Sequence, residues 1–72
     1  MDKHTSPILS HFDSSHLKDG PLKEVFERYA RFAEALDAEL PGGAEKTTAL
    51  RKLLESKDCA MRATVEGLRA QA

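Results

Sequence analysis

The chain has 72 residues, with 11 basic and 12 acidic side chains, a formal net charge of −1 and one cysteine, Cys59. This length allows a single domain, residues 1–72, whose small core usually needs a disulfide, a metal or a partner chain for stability. One cysteine excludes an internal disulfide and a cysteine-based zinc site, and the balanced charge predicts no general DNA-binding surface.

The N-terminal segment, residues 1–18, predicts a short helix or turn that packs against another element. Ser6 can cap a helix that Pro7 opens, because proline at the first helical position loses no hydrogen bond. Residues 1–6 are polar and lack the apolar core of a signal peptide, and no apolar run approaches the roughly 20 residues of a membrane span. We therefore expect an intracellular protein without a membrane partner. The apolar side of this segment is formed by Ile8, Leu9 and Phe12.

The second segment predicts a helix over residues 20–40. Asp19 or Gly20 can cap it, and Pro21 can open it. Apolar residues then follow the i, i+3, i+4, i+7 spacing of one helix face, and charged residues occupy the other. The apolar positions are Leu22, Val25, Phe26, Tyr29, Phe32, Ala33, Leu36 and Leu40.

The third segment predicts a second helix over residues 44–70, after a reversal at residues 41–43, Pro-Gly-Gly. Lys57 interrupts its apolar stripe, which indicates a change of packing partner or a stem that covers apolar surface while the ammonium stays hydrated. The larger apolar positions are Leu50, Leu53, Leu54, Met61, Val65 and Leu68.

These patterns predict an all-α fold, an antiparallel helical hairpin with a short N-terminal helix. Two helices cannot enclose a core, since each can bury only one face against the other. Apolar side chains outside that face stay exposed in a single hairpin. We therefore expect several hairpins to pack together as a homo-oligomer. The apolar side chains that are more than one pair of helices can cover are Phe26, Tyr29, Phe32 and Met61.

Catalytic and metal-binding motifs are scarce. No spacing of Ser, His and Asp matches a nucleophile motif, and His4, His11 and His16 lack the i, i+4 spacing of a helical metal site. Cys59 borders the apolar stripe, which favours a small buried hydrophobe over a reactive thiol. We expect no enzyme, no metal and no cofactor.

Anion binding has two candidate locations. The first is the start of the second helix, where Lys46 and Thr47 follow a glycine loop and unpaired backbone N–H groups favour a phosphate. The second is the charged stripe that includes Arg51 and Arg62, whose guanidinium groups can grip a phosphate or a base edge. Both patterns are also compatible with solvated surface: a glycine turn in the first case, and a lattice of i, i+4 ion pairs in the second.

Two stretches resemble a known family. Residues 40–55, LPGGAEKTTALRKLLE, continued by KDCAMRA at 57–63, resemble the second helix of the phage cyclic-nucleotide sponges. These are the anti-CBASS proteins, whose helical-hairpin domain is shared with anti-Thoeris sponges. Residues 12–17, FDSSHL, resemble the short motif before their first helix. The similarity extends from about residue 8 to 65.

The resemblance implies a compact hexamer that sequesters cyclic di- and trinucleotides made by bacterial defence enzymes. Dinucleotides would lie between protomers, held by an aromatic residue near the N-terminus and a basic residue of the first helix. His16 stands near the aromatic position, with Phe12 as the alternative, and the basic residue is Arg28 or Arg31. Trinucleotides would lie in separate pockets, contacted by an arginine late in the second helix, here Arg62.

The expected function is therefore a phage sponge that acts in the cytoplasm of the infected bacterial host. Phosphates would meet Lys46, Arg51 or Arg62 in charge-assisted hydrogen bonds, and purines would stack on rings or guanidinium planes. The alternative is a helical protein-interaction module that binds a host protein through its leftover apolar face. A minimal DNA-binding hairpin has the least support, because the charge is balanced.

Overall fold

The computed structural model describes residues 7–71, which form helices and contain no β-strand. A 3-10 helix, Pro7–Phe12, precedes two α-helices, α1 (Pro21–Glu39) and α2 (Ala44–Gln71). The all-helical class and the two long helices are thus confirmed. Ser6, the expected cap of the first element, lies outside the described residues, as does the polar stretch 1–6.

α1 and α2 run antiparallel and pack against each other as a hairpin. Asp37 meets Lys46 close to the connection, and the hydroxyls of Tyr29 and Ser56 share a 2.9 Å hydrogen bond further along. The 3-10 helix packs against both helices and places Phe12 in their core. No helix within residues 7–71 combines the length and apolarity required to cross a membrane.

α1 begins where a glycine precedes a proline. Gly20 has φ of +146°, which side chains rarely adopt, and Pro21 takes the first helical position. The carbonyl of Gly20 accepts a hydrogen bond from the amide of Glu24 at 3.0 Å, and no side chain among the described residues caps this end. Of the two expected caps, Gly20 is the one used, while Asp19 forms an exposed ion pair with Lys23.

The connection between the helices follows from proline and glycine chemistry. α1 ends at Glu39, and Leu40 is extended, with φ of −87° and ψ of 142°, because a following proline disfavours the helical conformation. Gly43 has φ of +147°, and its carbonyl accepts the amide of Thr47 at 3.1 Å as α2 begins. The chain therefore reverses within residues 40–43.

The core is small. Among residues 7–71, Leu50 is the one large side chain that is fully buried. The described chain measures 49 × 22 × 15 Å, and its thinnest dimension is little more than the roughly 10–12 Å diameter of one helix. Phe32 remains 55% exposed and Leu68 40% exposed. The buried apolar residues are Phe12, Phe26, Ala30, Ala33 and Leu50.

Lys57 explains how Phe26 is covered. Its ammonium lies 4.6 Å from the centroid of the Phe26 ring and pairs with Asp58 at 2.8 Å. The residue is only 8% exposed, so the expectation of a hydrated ammonium is wrong: the charge is held by a carboxylate and an aromatic face. His16 packs against the same ring, with centroids 6.0 Å apart and planes at 87°.

Candidate functional site

The most favourable candidate site lies at the end of the hairpin away from the connection. There, side chains of α2 and of the first turn of α1 line a hollow of about 480 Å³ that is open to solvent. This volume is within the roughly 300–1,000 Å³ of ligand pockets. We call it the open-end hollow; it is lined by Leu22, Met61, Arg62, Val65, Glu66 and Arg69.

The length difference between the helices creates this hollow. α2 has 28 residues and α1 has 19, so the last turns of α2 receive little cover from α1. Residues 66–71 are all exposed. Met61 and Val65 are half-buried beside Leu22, because the apolar stripe of α2 continues past the tightly packed core. The result is an apolar floor with charged side chains around it.

Two arginines give the open-end hollow its charge. Arg62 and Arg69 are seven residues apart, which puts them on the same face of α2, and Glu66 lies between them. Arg62 donates a hydrogen bond from Nη2 to the Sγ atom of Cys59 at 3.2 Å. Within residues 7–71, neither arginine forms an ion pair. An apolar floor beside two guanidinium groups that form no ion pair within residues 7–71 suits a flat ligand that carries phosphate.

Cys59 is exposed, so the expectation of a buried hydrophobe is wrong. The apolar stripe passes beside it through Leu54 and Met61, which are both half-buried. The position of Cys59 at the edge of the stripe therefore placed it on the solvent side.

The start of α2 does not offer its lysine to a ligand. Lys46 donates a hydrogen bond from Nζ to the backbone carbonyl of Asp37 at 2.7 Å and pairs with the Asp37 carboxylate at 3.1 Å. The two side chains are 12% and 6% exposed. The hydroxyl of Thr47 donates to the carbonyl of Gly43 at 3.2 Å. Lys46 therefore joins the two helices, which corrects its expected role as a phosphate contact.

The side of the hairpin that carries Arg31 is acidic. A hollow of about 370 Å³ beside this arginine is also lined by Asp13, Glu27 and Glu34. Three carboxylates around one guanidinium repel a phosphate, so Arg31 is poorly placed to hold an anion in this chain. The amide of Ser15 donates to Asp13 at 3.0 Å and lowers the pKa of that carboxyl.

The expected aromatic contacts differ in exposure. Phe12 is 4% exposed and belongs to the core, so its ring does not offer a face for stacking; this corrects its expected role as the alternative to His16. His16 is exposed and lies against Phe26. Arg28 lies with Tyr29 and Phe32 around a shallow hollow of about 300 Å³.

The expected site residues therefore do not converge. Arg62 lines the open-end hollow, Arg31 lines the hollow of about 370 Å³ among the three carboxylates, and Arg28 lines the hollow of about 300 Å³ beside Tyr29 and Phe32. Arg51 is exposed on α2 outside these three hollows. Sequence reasoning missed Arg69. The seven-residue spacing from Arg62 is the signal that places both on one face.

Metal-binding geometry and comparisons with known proteins add no further assignment. Within residues 7–71, no three His, Cys, Asp or Glu side chains come together in the manner of metal ligands. Comparison of this chain with protein-family models, with curated proteins and with solved structures gives no match. The candidate site is therefore defined by its own residues and geometry.

Proposed function

We propose that this chain is a phage-encoded sponge that binds and sequesters cyclic di- or trinucleotide second messengers without cleaving them. The observation that carries this proposal is the open-end hollow, which combines Arg62 and Arg69 with an apolar floor. A cyclic oligonucleotide presents phosphates and flat bases together. The two arginines would hold the phosphates in charge-assisted hydrogen bonds, and the bases would lie against Met61 and Val65.

The lining of the hollow also supports binding without cleavage. Its six residues provide two guanidinium groups, one carboxylate and three apolar side chains, with no Ser, Thr, Cys or His among them. Hydrolysis of a phosphodiester generally requires an activated nucleophile or a positioned metal ion. A sponge needs tight binding and a high copy number only, in the cytoplasm of the infected bacterium where defence enzymes make these messengers.

Self-association is part of the same proposal. Within residues 7–71, five apolar residues are buried, while Phe32 is 55% exposed and Leu68 is 40% exposed. The open-end hollow is open to solvent, and a second copy would enclose a ligand in it. We propose a homo-oligomer, with six copies as the resemblance implies.

Calorimetry of the full chain against four cyclic nucleotides tests the proposal: cyclic di-GMP, cyclic di-AMP, cyclic GMP–AMP and cyclic triadenylate. At least one should bind with a Kd of about 1 μM or lower. After heat denaturation of the complex, chromatography should recover the nucleotide intact. Native mass spectrometry of the same samples measures the number of copies.

Matched variants locate the site. Arg62→Ala and Arg69→Ala should each weaken binding by at least about tenfold, because each removes a hydrogen bond to a charged group. Lys52→Ala, which removes an exposed positive charge from α2 outside the hollow, should leave the Kd unchanged. Absence of binding to all four nucleotides at about 100 μM would contradict the ligand assignment. Recovery of linear products would contradict binding without cleavage.

The alternative function is a helical module that binds a host protein. The observation in its favour is the shallow hollow that Phe32, 55% exposed, lines together with Arg28 and Tyr29, because contiguous exposed apolar surface marks interaction sites. A host protein bound in equal amounts and lost in Phe32→Ser, together with no nucleotide binding, would favour this alternative over the sponge.

A further inference from the structure

The charges around the open-end hollow follow the order positive, negative, positive along α2. Arg62, Glu66 and Arg69 occupy positions i, i+4 and i+7, so one helix face presents a carboxylate between two guanidinium groups. In a cyclic oligonucleotide, each nucleoside is likewise flanked by two phosphodiesters. The arrangement on the helix is therefore complementary to a phosphate, a base edge that donates hydrogen bonds, and a second phosphate.

We infer that Glu66 reads the base of the bound nucleotide and selects guanine. This inference rests on the proposed function, because it assigns a role within the same hollow. A carboxylate only accepts hydrogen bonds and has two oxygens for doing so. Guanine offers two parallel donors on its Watson–Crick edge, N1–H and the 2-amino group, and can satisfy both oxygens at once.

The other bases fit a carboxylate less well. Adenine and cytosine each place a ring-nitrogen acceptor next to their amino group, and that acceptor would face a carboxylate oxygen. Uracil places its single N–H between two carbonyl oxygens. A bidentate contact from a correctly placed side chain discriminates between bases by about 5- to 150-fold in affinity. Guanine is thus the base that Glu66 favours.

Glu66 is also not engaged elsewhere in the described structure. Within residues 7–71 it forms no ion pair, although Arg62 is four residues before it and Arg69 three residues after it. An arginine that precedes its acidic partner at i, i+4 is the weaker order of such a pair. The carboxylate therefore remains exposed beside the apolar floor, where a bound base would lie.

The test compares cyclic di-GMP with cyclic di-AMP, which differ in their bases alone. Calorimetry of the full chain should give a Kd at least about tenfold lower for cyclic di-GMP. Glu66→Gln should reduce this preference to about threefold or less, because an amide cannot accept both donors. Glu55→Gln, an exposed glutamate of α2 outside the hollow, should keep the full preference.

Cyclic di-inosine monophosphate, which retains N1–H and lacks the 2-amino group, should bind with intermediate affinity. Equal affinity for the guanine and adenine dinucleotides, or an equal loss of both in Glu66→Gln, would overturn base reading while the sponge proposal stands. Absence of binding to any cyclic nucleotide would overturn the sponge proposal itself, and with it this inference.

Discussion

The two ends of the hairpin use their charged residues differently. At the closed end, beside residues 40–43, Asp37 is buried, Lys46 is partly buried, and the two are bonded to each other. At the open end, Arg62 and Arg69 are exposed beside an apolar hollow and form no ion pair within residues 7–71. Lys46 is thus held by the neighbouring helix, whereas Arg62 and Arg69 face solvent.

This difference separates the structural role of Lys46 from the binding role that we propose for Arg62 and Arg69. A lysine that donates to a carbonyl and a carboxylate of the neighbouring helix stabilises the fold, and a ligand would have to displace both contacts. The exposed guanidinium groups of Arg62 and Arg69 have no ion pair to break within residues 7–71, and Arg62 would give up at most water and its hydrogen bond to the Cys59 Sγ atom. The contacts that a basic residue makes in the fold therefore say more about its role than its position at the start or end of a helix does.

The largest expected effect is at the closed end. Lys46→Met retains most of the apolar stem and removes the ammonium that pairs with buried Asp37. Breaking a buried pair from one side costs about 3–5 kcal/mol, so the free energy of unfolding should fall by that amount in urea denaturation followed by circular dichroism.

Two controls make this comparison specific. Arg69→Ala removes a cation from the open end and should change the free energy of unfolding by less than about 0.5 kcal/mol. Asp37→Leu combined with Lys46→Met replaces the pair by apolar side chains and should recover part of the loss. A Lys46→Met protein as stable as the parent would show that the closed end does not depend on this pair.

An intermediate effect is expected at the exposed apolar surface, which belongs to neither end. If copies assemble through Phe32, Phe32→Ser should remove about 1.5–3 kcal/mol of apolar burial and raise the dissociation constant of the assembly by at least about tenfold. Sedimentation velocity measures this shift. Ala35→Ser adds a hydroxyl at another exposed position of α1 and should leave assembly unchanged. Assembly that is the same in both variants would place the interface elsewhere.

The main elements of the fold follow from local sequence signals. The helical spacing of apolar residues predicts two long helices, and Gly20-Pro21 and residues 41–43 mark the ends at which the chain changes direction. These signals act over a few residues, so they can be read without knowing what packs against what. Periodicity also placed Lys57 within the buried stripe.

The candidate site was harder to predict because it depends on partners distant in the sequence. Lys46 looks like a phosphate contact until Asp37, nine residues earlier, is brought beside it. Phe12 looks like a stacking ring until both helices cover it. Arg69 becomes part of a hollow only because Leu22 of α1 lines the same hollow. Periodicity describes one helix at a time and does not identify these pairs.

The smallest effect is expected at Asp13, between the two ends, where a carboxylate is exposed but bonded locally. The amide and then the hydroxyl of Ser15 lower its pKa below the usual 3.8. A lowered pKa in the folded state means that the ionised form contributes stability above pH 3.8 and that this contribution is lost as the pH falls through the folded-state pKa.

NMR titration of the Asp13 carboxyl should show the lowered pKa directly. In Ser15→Ala most of the lowering should persist, because the backbone amide remains. A pKa at or above 3.8 in the parent would show that the amide does not hold this carboxylate. Exposed charges would then be unpaired here as well as at the open end, and an unpaired charge alone would no longer distinguish the hollow from ordinary surface.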